Sequence, residues 1–538
     1  MLKLIAAMSA ATALFVFAPA GAWSRGGADT LCVGDKPGCY ATIQAALEAA
    51  HDGDTIKVAP GTFAGGITIE KSVDLVGAGA KATVIDGGGP VVTIGEFLGT
   101  SELTVRISAV SITGGVTTSS PLSTEWVGQE NVIALGGGIA IEPREGYSTG
   151  ATVTISNSVI SGNRAVPTET LPIGPPCPDG PCPFAWAKGG GIDNWGHLRL
   201  RNTTVSGNTA AGVASDADGG GINDWWPGTL TLTNSKVTGN RAVASVPNGR
   251  FAEGGGIFTD PGVRLAISAS SVSNNTASLT STLPFDVGGG DTLDMNSNGG
   301  GIHVGDDSSV SIESSSLNGN TASIDDPNGE PYSFDAALHP GNGPLVLRDV
   351  TMAGNHVVAR VASTADVGPS GSALDIVGPT TLTNVQITGN TTTVTSTSGA
   401  AGANGAVYAG STGQPAVIGD SVIRGNTVRA SSTGGPAIAL GAGLVNDGLL
   451  VLRNVLVADN SGVASGPSGA AQGGGIWNGA LFNSPPIQLT LENTTVMHNT
   501  LSSSPGLSVQ GGGLFTAFPV RTANSRIANN SPDDCFGC

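Results

Sequence analysis

Basic and aromatic residues are scarce in this 538-residue chain, and so are long apolar runs. Lys and Arg number 23 against 41 Asp and Glu, a formal net charge of −18. That balance leaves no basic face for nucleic acid, whose binding depends on neutralising phosphates. It also repels polyanions unless divalent cations bridge the charge. Aromatics make up 4% of the residues while glycines number 83. That combination excludes one large globular core and fits a narrow column of Val, Ile and Leu. Residues 1–22 carry Lys3, an apolar stretch through Phe17 and a small-residue end at Ala20-Gly21-Ala22, the pattern of a cleaved secretory signal. No later run is long enough to span a membrane. The six cysteines fall as close pairs, Cys32 with Cys39, Cys177 with Cys182 and Cys535 with Cys538. In an exported chain these are expected to form local disulfides, a redox or metal role for the last pair being the alternative.

What is abundant is one repeated phrase. From residue 105 onward the pattern Leu-x-Leu-x-Asn-x-x-Val-x-x-Asn recurs, followed by a variable insert and Gly-Gly-Gly-Ile. Its final Asn falls at Asn163, Asn208, Asn240, Asn275, Asn320, Asn355, Asn390, Asn426, Asn460, Asn499 and Asn530. Gaps run from 31 residues (Asn499 to Asn530) to 45 (Asn163 to Asn208), a spacing that means stacked structural repeats. Alternating aliphatics such as Leu198/Leu200 and Leu230/Leu232 read as half-buried strands. The Asn or Asp after them, as at Asn157, Asn202 and Asp349, suits a left-handed corner. No 3.6-residue period appears inside the units, so helical arrays are excluded, and the inserts are too irregular for the four strands of a propeller blade.

The expected fold is therefore all-β, a single-stranded right-handed parallel β-helix with a short N-terminal capping helix. Its organisation reads as a signal peptide at 1–22, a cap at 23–54 and the β-helix with variable inserts at 55–538. The capping helix is placed at Thr42–His51, where it would cover the open end of the solenoid.

Departures from the repeat mark candidate chemistry. Long inserts at 116–135, 164–188 and 276–298 would wall a floor formed by the coils of Gly189, Gly219 and Gly254. The triplets on that floor run into Asp193-Asn194-Trp195, Asn223-Asp224-Trp225-Trp226 and Phe258-Thr259-Asp260. Asp193, Asp224 and Asp260 are thus expected close together as acid and base, with Trp126, Trp186, Trp195, Trp225 and Trp226 as sugar platforms. Five of the seven tryptophans lie between 126 and 226, and paired carboxylates are what glycoside cleavage requires. The same Asp residues also suit turn capping, and Trp225 and Trp226 also suit anchoring a loop. In His197-Leu198-Arg199-Leu200-Arg201 the leucines point inward, leaving His197 and Arg199 as candidate bases toward an acidic sugar, and Arg201 as a solubilising group. His303 reads as a lone surface histidine. Calcium is a candidate ion at Asp286, Asp291, Asp294, Asp306, Asp307, Asp325 and Asp326, although no fixed ligand spacing is present.

The paired Gly-Gly-Gly-Ile and Val-x-x-Asn motifs resemble the repeats of polymorphic outer-membrane proteins. The opening stretch, Ile43-Gln44-Ala45-Ala46 through Pro60-Gly61-Thr62-Phe63, resembles the first coils of the pectate-lyase-like β-helix superfamily. The resemblance implies the fold over the whole mature chain. It implies no single activity, since that fold carries lyases, hydrolases, esterases, isomerases and adhesins. Catalytic signatures of pectate lyase, polygalacturonase and pectin methylesterase are missing. Two functions are expected to compete. One is a secreted, extracellular or periplasmic monomer that binds, and in one form cleaves, a polysaccharide or cell-surface glycan. The other is a non-catalytic adhesin or structural repeat protein.

Overall fold

The structure, a computed structural model, describes residues 28–122, 132–168, 185–213, 215–245, 251–281, 296–327, 333–364, 371–410, 413–481 and 486–538. It is a right-handed parallel β-helix in which almost every strand pairs in parallel with the equivalent strand one coil away. The signal-peptide reading and Trp126 lie outside the described residues, as do Asp286, Asp291 and Asp294. Cys177 and Cys182 also lie outside them, and with these two cysteines the disulfide expected between them.

Among the described residues, five strand positions recur per coil and build four sheet faces. Sheet I, 27-stranded among the described residues, holds the Leu-x-Leu strands and the Val-x-x-Asn strands. Leu198, Leu230, Leu265, Val310 and Leu345 follow one another across it in register. Each is buried while the alternate residues face out, because successive strand side chains point to opposite faces. Sheet II, of 14 strands, begins just after each Gly triplet. Sheet III, of 11 strands, leaves the final Asn, and sheet IV returns toward the next triplet as a six-stranded and a four-stranded group. The inserts are thus side arms whose flanks are ordered sheet. Between sheets III and IV lies a second, alanine-rich core that includes Ala217, Ala242, Ala252 and Ala277, separate from the Val/Ile/Leu column.

The two halves of the repeated phrase meet in space. The corner Asn and Asp residues hold left-handed angles, φ 49° at Asn202 and 55° at Asp349, and Ala269 and Ser314 take the same angle at 48°. The final Asn does something else, forming a buried amide ladder up the column. The Asn240 amide nitrogen donates to the Val205 carbonyl and to Asn275 Oδ1, both at 3.0 Å. Asn240 Oδ1 in turn accepts both the backbone N–H and the side-chain amide of Asn208, again at 3.0 Å. A Cβ on Gly221 would stand 3.0 Å from Asn240 Cγ and 2.6 Å from the Gly256 carbonyl. Coils that carry the full triplet therefore close the final Asn tightly against its third glycine, whereas Ala337, Ala373 and Ala406 take that slot in three successive coils.

The helix Ile43–Ala49 caps the first coils, with Thr42 Oγ accepting from the Ala45 N–H at 3.1 Å. Lys71 Nζ donates to the carbonyls of Leu47, Glu48 and Ala50 at 3.2, 2.7 and 2.6 Å, satisfying that helix's C-terminal carbonyls. Disulfides Cys32–Cys39 and Cys535–Cys538 sit at the two ends. Among the described residues no helix is long and apolar enough to cross a membrane.

Candidate functional site

The outer faces of sheets II and IV meet at a re-entrant corner, and the polar chemistry of the molecule gathers there. On sheet II the outward column runs Ala140, Asp193, Asn223, Phe258, His303, His339, Asp375 in register. On sheet IV the last residue before each triplet gives a second column, Leu135, Lys188, Asp218, Glu253 and Asn298. Lys188 bridges the two. Its ammonium is 2.8 Å from Asp218 Oδ2 and lies 4.6 Å from the ring centres of both Trp225 and Phe258, and 5.1 Å from Trp186. One rung on, Glu253 approaches His303 Nε2 at 3.7 Å.

The three predicted aspartates occupy three successive places rather than one ladder. Asp193 pairs with Asn223, whereas Asp224 pairs with Asn194 one residue further along. Asp260 stands a further residue on, opposite Trp225, where its N–H donates to the Asp224 carbonyl at 2.9 Å. Strand alternation therefore turns Asp193 and Asp224 to opposite faces. Asp193 is only 1% exposed, accepting from Trp225 Nε1 at 2.9 Å and from the Asn223 amide at 2.7 Å. Asp224 is fully buried against the Asn194 amide. Burial raises all three carboxyls, Asp193 to about 8 and Asp224 well above the usual range.

The tryptophans are also mostly internal. Trp195 and Trp225, 7% and 6% exposed, stack at 4.5 Å. They continue an aromatic run from Phe97 through Tyr147, with centres 6.5 Å apart and then 5.9 Å from Tyr147 to Trp195. Trp186 is half-buried beside Lys188. Trp226 is the exposed one of the described candidates, at 58%, and its ring lies over Gly262 of the next coil. His197 and Arg199 sit round the corner on sheet I, away from the Asp193 column. His197 Nδ1 meets Thr229 Oγ1 at 3.0 Å, and partial burial together with the Arg199 charge lowers its pKa. Arg199 and Arg201 face solvent.

His303 is no surface histidine. Its ring is stacked between Phe258 at 5.2 Å and His339 at 4.8 Å, and burial holds it neutral. Asp306, Asp307, Asp325 and Asp326 do not form a metal-type group. Asp325 pairs with Arg360 at 3.4 Å and Asp326 is buried. The grouping of ligand-type side chains among the described residues lies instead at Asp335, His339 and Asp375.

At the N-terminal end of the corner the site opens to solvent. A pocket of about 160 Å³ is lined by Glu70, Glu96, Glu142 and Arg144, with Ser101 and Ala151 on its walls. Glu142 follows the strand Ile139–Ile141 and so continues the row that Trp195 and Trp225 occupy on the next coils. Burial raises its carboxyl to about 7. Arg144 is held by Glu102 at 2.9 Å and by the Thr149 carbonyl at 2.8 Å. Neither Glu142 nor Lys188, Asp218 and Glu253 was singled out from the sequence. One signal was available: a charged residue stands directly before three consecutive triplets, at Lys188, Asp218 and Glu253.

No family model matches the chain, and no curated protein does. Solved structures give fold-level likenesses. An alginate lyase in complex with G6 is 13% identical, with 95% of this chain and 87% of that one covered at a TM-score of 0.32. The A-module of a mannuronan C-5 epimerase from Azotobacter vinelandii is 12% identical over 90% of this chain and 93% of that one, TM-score 0.24. A pectin methylesterase from Erwinia chrysanthemi is 9% identical over 51% and 80%, TM-score 0.19. At these values no chemistry transfers, and the site is read from its own residues.

Proposed function

We propose that this is a secreted glycan-binding β-helix that cleaves its glycan at the Glu142 pocket, with Glu142 as proton donor. The observation that carries the reading is a carboxyl raised to about 7 in an open pocket that also holds Glu70 and Glu96. Glycoside cleavage uses one carboxyl that keeps its proton near neutral pH and a second carboxylate as base or nucleophile. Glu70 and Glu96 are the candidates for the second role. The pocket holds three carboxyls against one guanidinium, and the whole chain is acidic, so a neutral or amino-sugar polysaccharide fits better than a uronate. Disulfides at both ends of the solenoid support an oxidising compartment.

Asp193, Asp224, Trp195 and Trp225 take a supporting role in this reading. Asp193, Trp225 and Trp195 are buried in contact with one another and Asp224 is buried against Asn194, so they set the wall behind Glu142 and do not meet the sugar. That same burial favours the competing reading of a non-catalytic adhesive or structural repeat protein, since Asp193 has both carboxylate oxygens bonded internally and Asp224 is shut away from solvent. Glu142→Gln separates the two. It keeps volume and polarity but cannot donate a proton at the glycosidic oxygen. On a panel of neutral and amino-sugar polysaccharides, release of reducing ends is expected to fall by about 10²-fold or more in the variant. Retention on the same glycans and the unfolding midpoint are expected to persist. Undiminished cleavage would remove Glu142 from the reaction. Retention without cleavage by the parent protein would establish the adhesive reading.

A further inference from the structure

We propose that Asp335, His339 and Asp375 form a binding site for a divalent transition-metal cation of the Zn²⁺ type, clamping two successive coils. Asp335-Ala336-Ala337 stands where the preceding coil carries the Gly299-Gly300-Gly301 triplet, and His339 ends the strand Leu338–His339. Asp375 lies in Leu374–Ile376 on the next coil, where Leu338 and Leu374 are in register. The donors therefore come from rigid strand positions on two rungs, which is how a preorganised metal site is held.

The spacing suits a small four-coordinate ion. His339 Nδ1 lies 2.9 Å from Asp335 Oδ2 and 3.5 Å from Asp375 Oδ2, and one donor atom from each residue lies within 4.8 Å of the others. Metal–ligand bonds of about 2.0–2.2 Å at tetrahedral angles put neighbouring donors about 3.3–3.6 Å apart. The Asp375 edge already has that length, and the Asp335 edge reaches it when Asp335 draws back from His339 by about 0.5 Å as the ion replaces the proton between them. Solvent supplies the fourth position.

A second observation points to a missing partner. Asp375 is 4% exposed and its Oδ1 has no hydrogen-bond partner. A buried carboxylate oxygen left unpaired is costly, and since Oδ2 of the same carboxylate faces His339, a cation gripped by both Asp375 oxygens satisfies it. The surroundings orient the other donors. Asp335 Oδ1 accepts from the Gly371 N–H at 2.8 Å, while the His339 ring is stacked on His303, itself stacked on Phe258. Outer contacts of this kind fix ligand orientation in metal centres. Calcium fits poorly, because it takes six to eight oxygens and this group offers one nitrogen and two carboxylates.

The site is independent of the Glu142 pocket. Five coil steps separate the strands Ile139–Ile141 and Leu338–His339, about 24 Å at about 4.8 Å per step. The test uses the full chain after chelator treatment, titrated with Zn²⁺ alone and with Ca²⁺ alone by calorimetry. One Zn²⁺ per chain is expected, with Ca²⁺ binding at least about tenfold weaker. Asp375→Asn and His339→Gln should each weaken Zn²⁺ by about tenfold or more, while a His356→Gln/His498→Gln control on the exposed surface changes nothing. Co²⁺ loaded into the parent chain should show the strong visible absorption of a four-coordinate site, a readout that does not depend on any variant folding. Absent Zn²⁺ binding would overturn the proposal, as would Zn²⁺ binding indifferent to both substitutions, equal affinity for Ca²⁺, or a six-coordinate Co²⁺ spectrum. Glycan cleavage is not read in any arm, so loss of the Glu142 reading leaves this result untouched.

Discussion

Replacing Asn240 by Ala tests whether the amide ladder, rather than the aliphatic column alone, holds the coils together. The substitution deletes four hydrogen bonds of 3.0 Å: two accepted from Asn208, one donated to Val205 and one donated to Asn275. The Asn240 backbone N–H keeps its bond to Asn275 Oδ1, and the Asn208 amide keeps its bond to the Ile160 carbonyl. What remains exposed to cost is the buried Asn208 N–H and one hydrogen of the Asn208 amide. Each buried donor without an acceptor costs about 1–3 kcal/mol, which predicts a loss of about 2–6 kcal/mol. The matched control is Asn202→Ala. Asn202 sits at a left-handed corner, with an exposed bond to Asn157 at 3.2 Å. Ala269 already occupies the equivalent corner at φ 48°, so the control should cost only about 1 kcal/mol. Urea unfolding followed by circular dichroism reads the difference, and hydrogen exchange localises it. Because coils contact mainly their neighbours, lost protection should centre on the rungs of Asn208, Asn240 and Asn275. An Asn240→Ala loss no larger than that of Asn202→Ala would refute the ladder as a stabilising element.

Glycine at the coil closure should be far less replaceable than glycine at a corner. Gly221→Ala meets the Gly256 carbonyl at 2.6 Å, whereas a Cβ on Gly207 meets nothing within 4 Å at φ 62°. Thermal unfolding should show about 1 kcal/mol lost for Gly207→Ala and clearly more for Gly221→Ala, and equal losses would contradict the closure geometry. Lys188→Met should destabilise by about 3–5 kcal/mol, because it leaves Asp218 buried without its cation. Adding Asp218→Asn should restore much of that, and a double variant no better than the single would argue against the pair. Stability should also fall with rising pH. Folding raises the Glu142, Asp193 and Glu253 carboxyls to about 7, 8 and 8. Between the unfolded carboxyl range and those values the folded state therefore binds more protons than the unfolded one, and stability drops across that window. Below it, Asp54, whose pKa is lowered by the N–H groups of His51 and Asp29, loses its contribution as it protonates. Denaturant midpoints are thus expected to peak in mildly acidic buffer, and a maximum at alkaline pH would contradict these assignments.

The sequence carried the rung itself. Spacing of the final Asn residues gave the coil, Leu-x-Leu alternation gave the inward column, and Asn202 or Asp349 gave the corners, because each is a local property of a few neighbouring residues. It also placed the capping helix and the two terminal disulfides. The site was only partly legible. Asp193, Trp195 and Trp225 do gather on successive coils, but their burial could not be read, since it depends on stacking register and on the sheet IV strands that fold back over them. Lys188 against Trp225 and Phe258, and Glu253 against His303, join residues from different strands and different coils. So does His339 between Asp335 and Asp375. Periodicity fixes what each coil looks like. Only the lateral packing of the arm strands against the outer face of sheet II decides which side chains meet, because that contact runs across the repeat rather than along it.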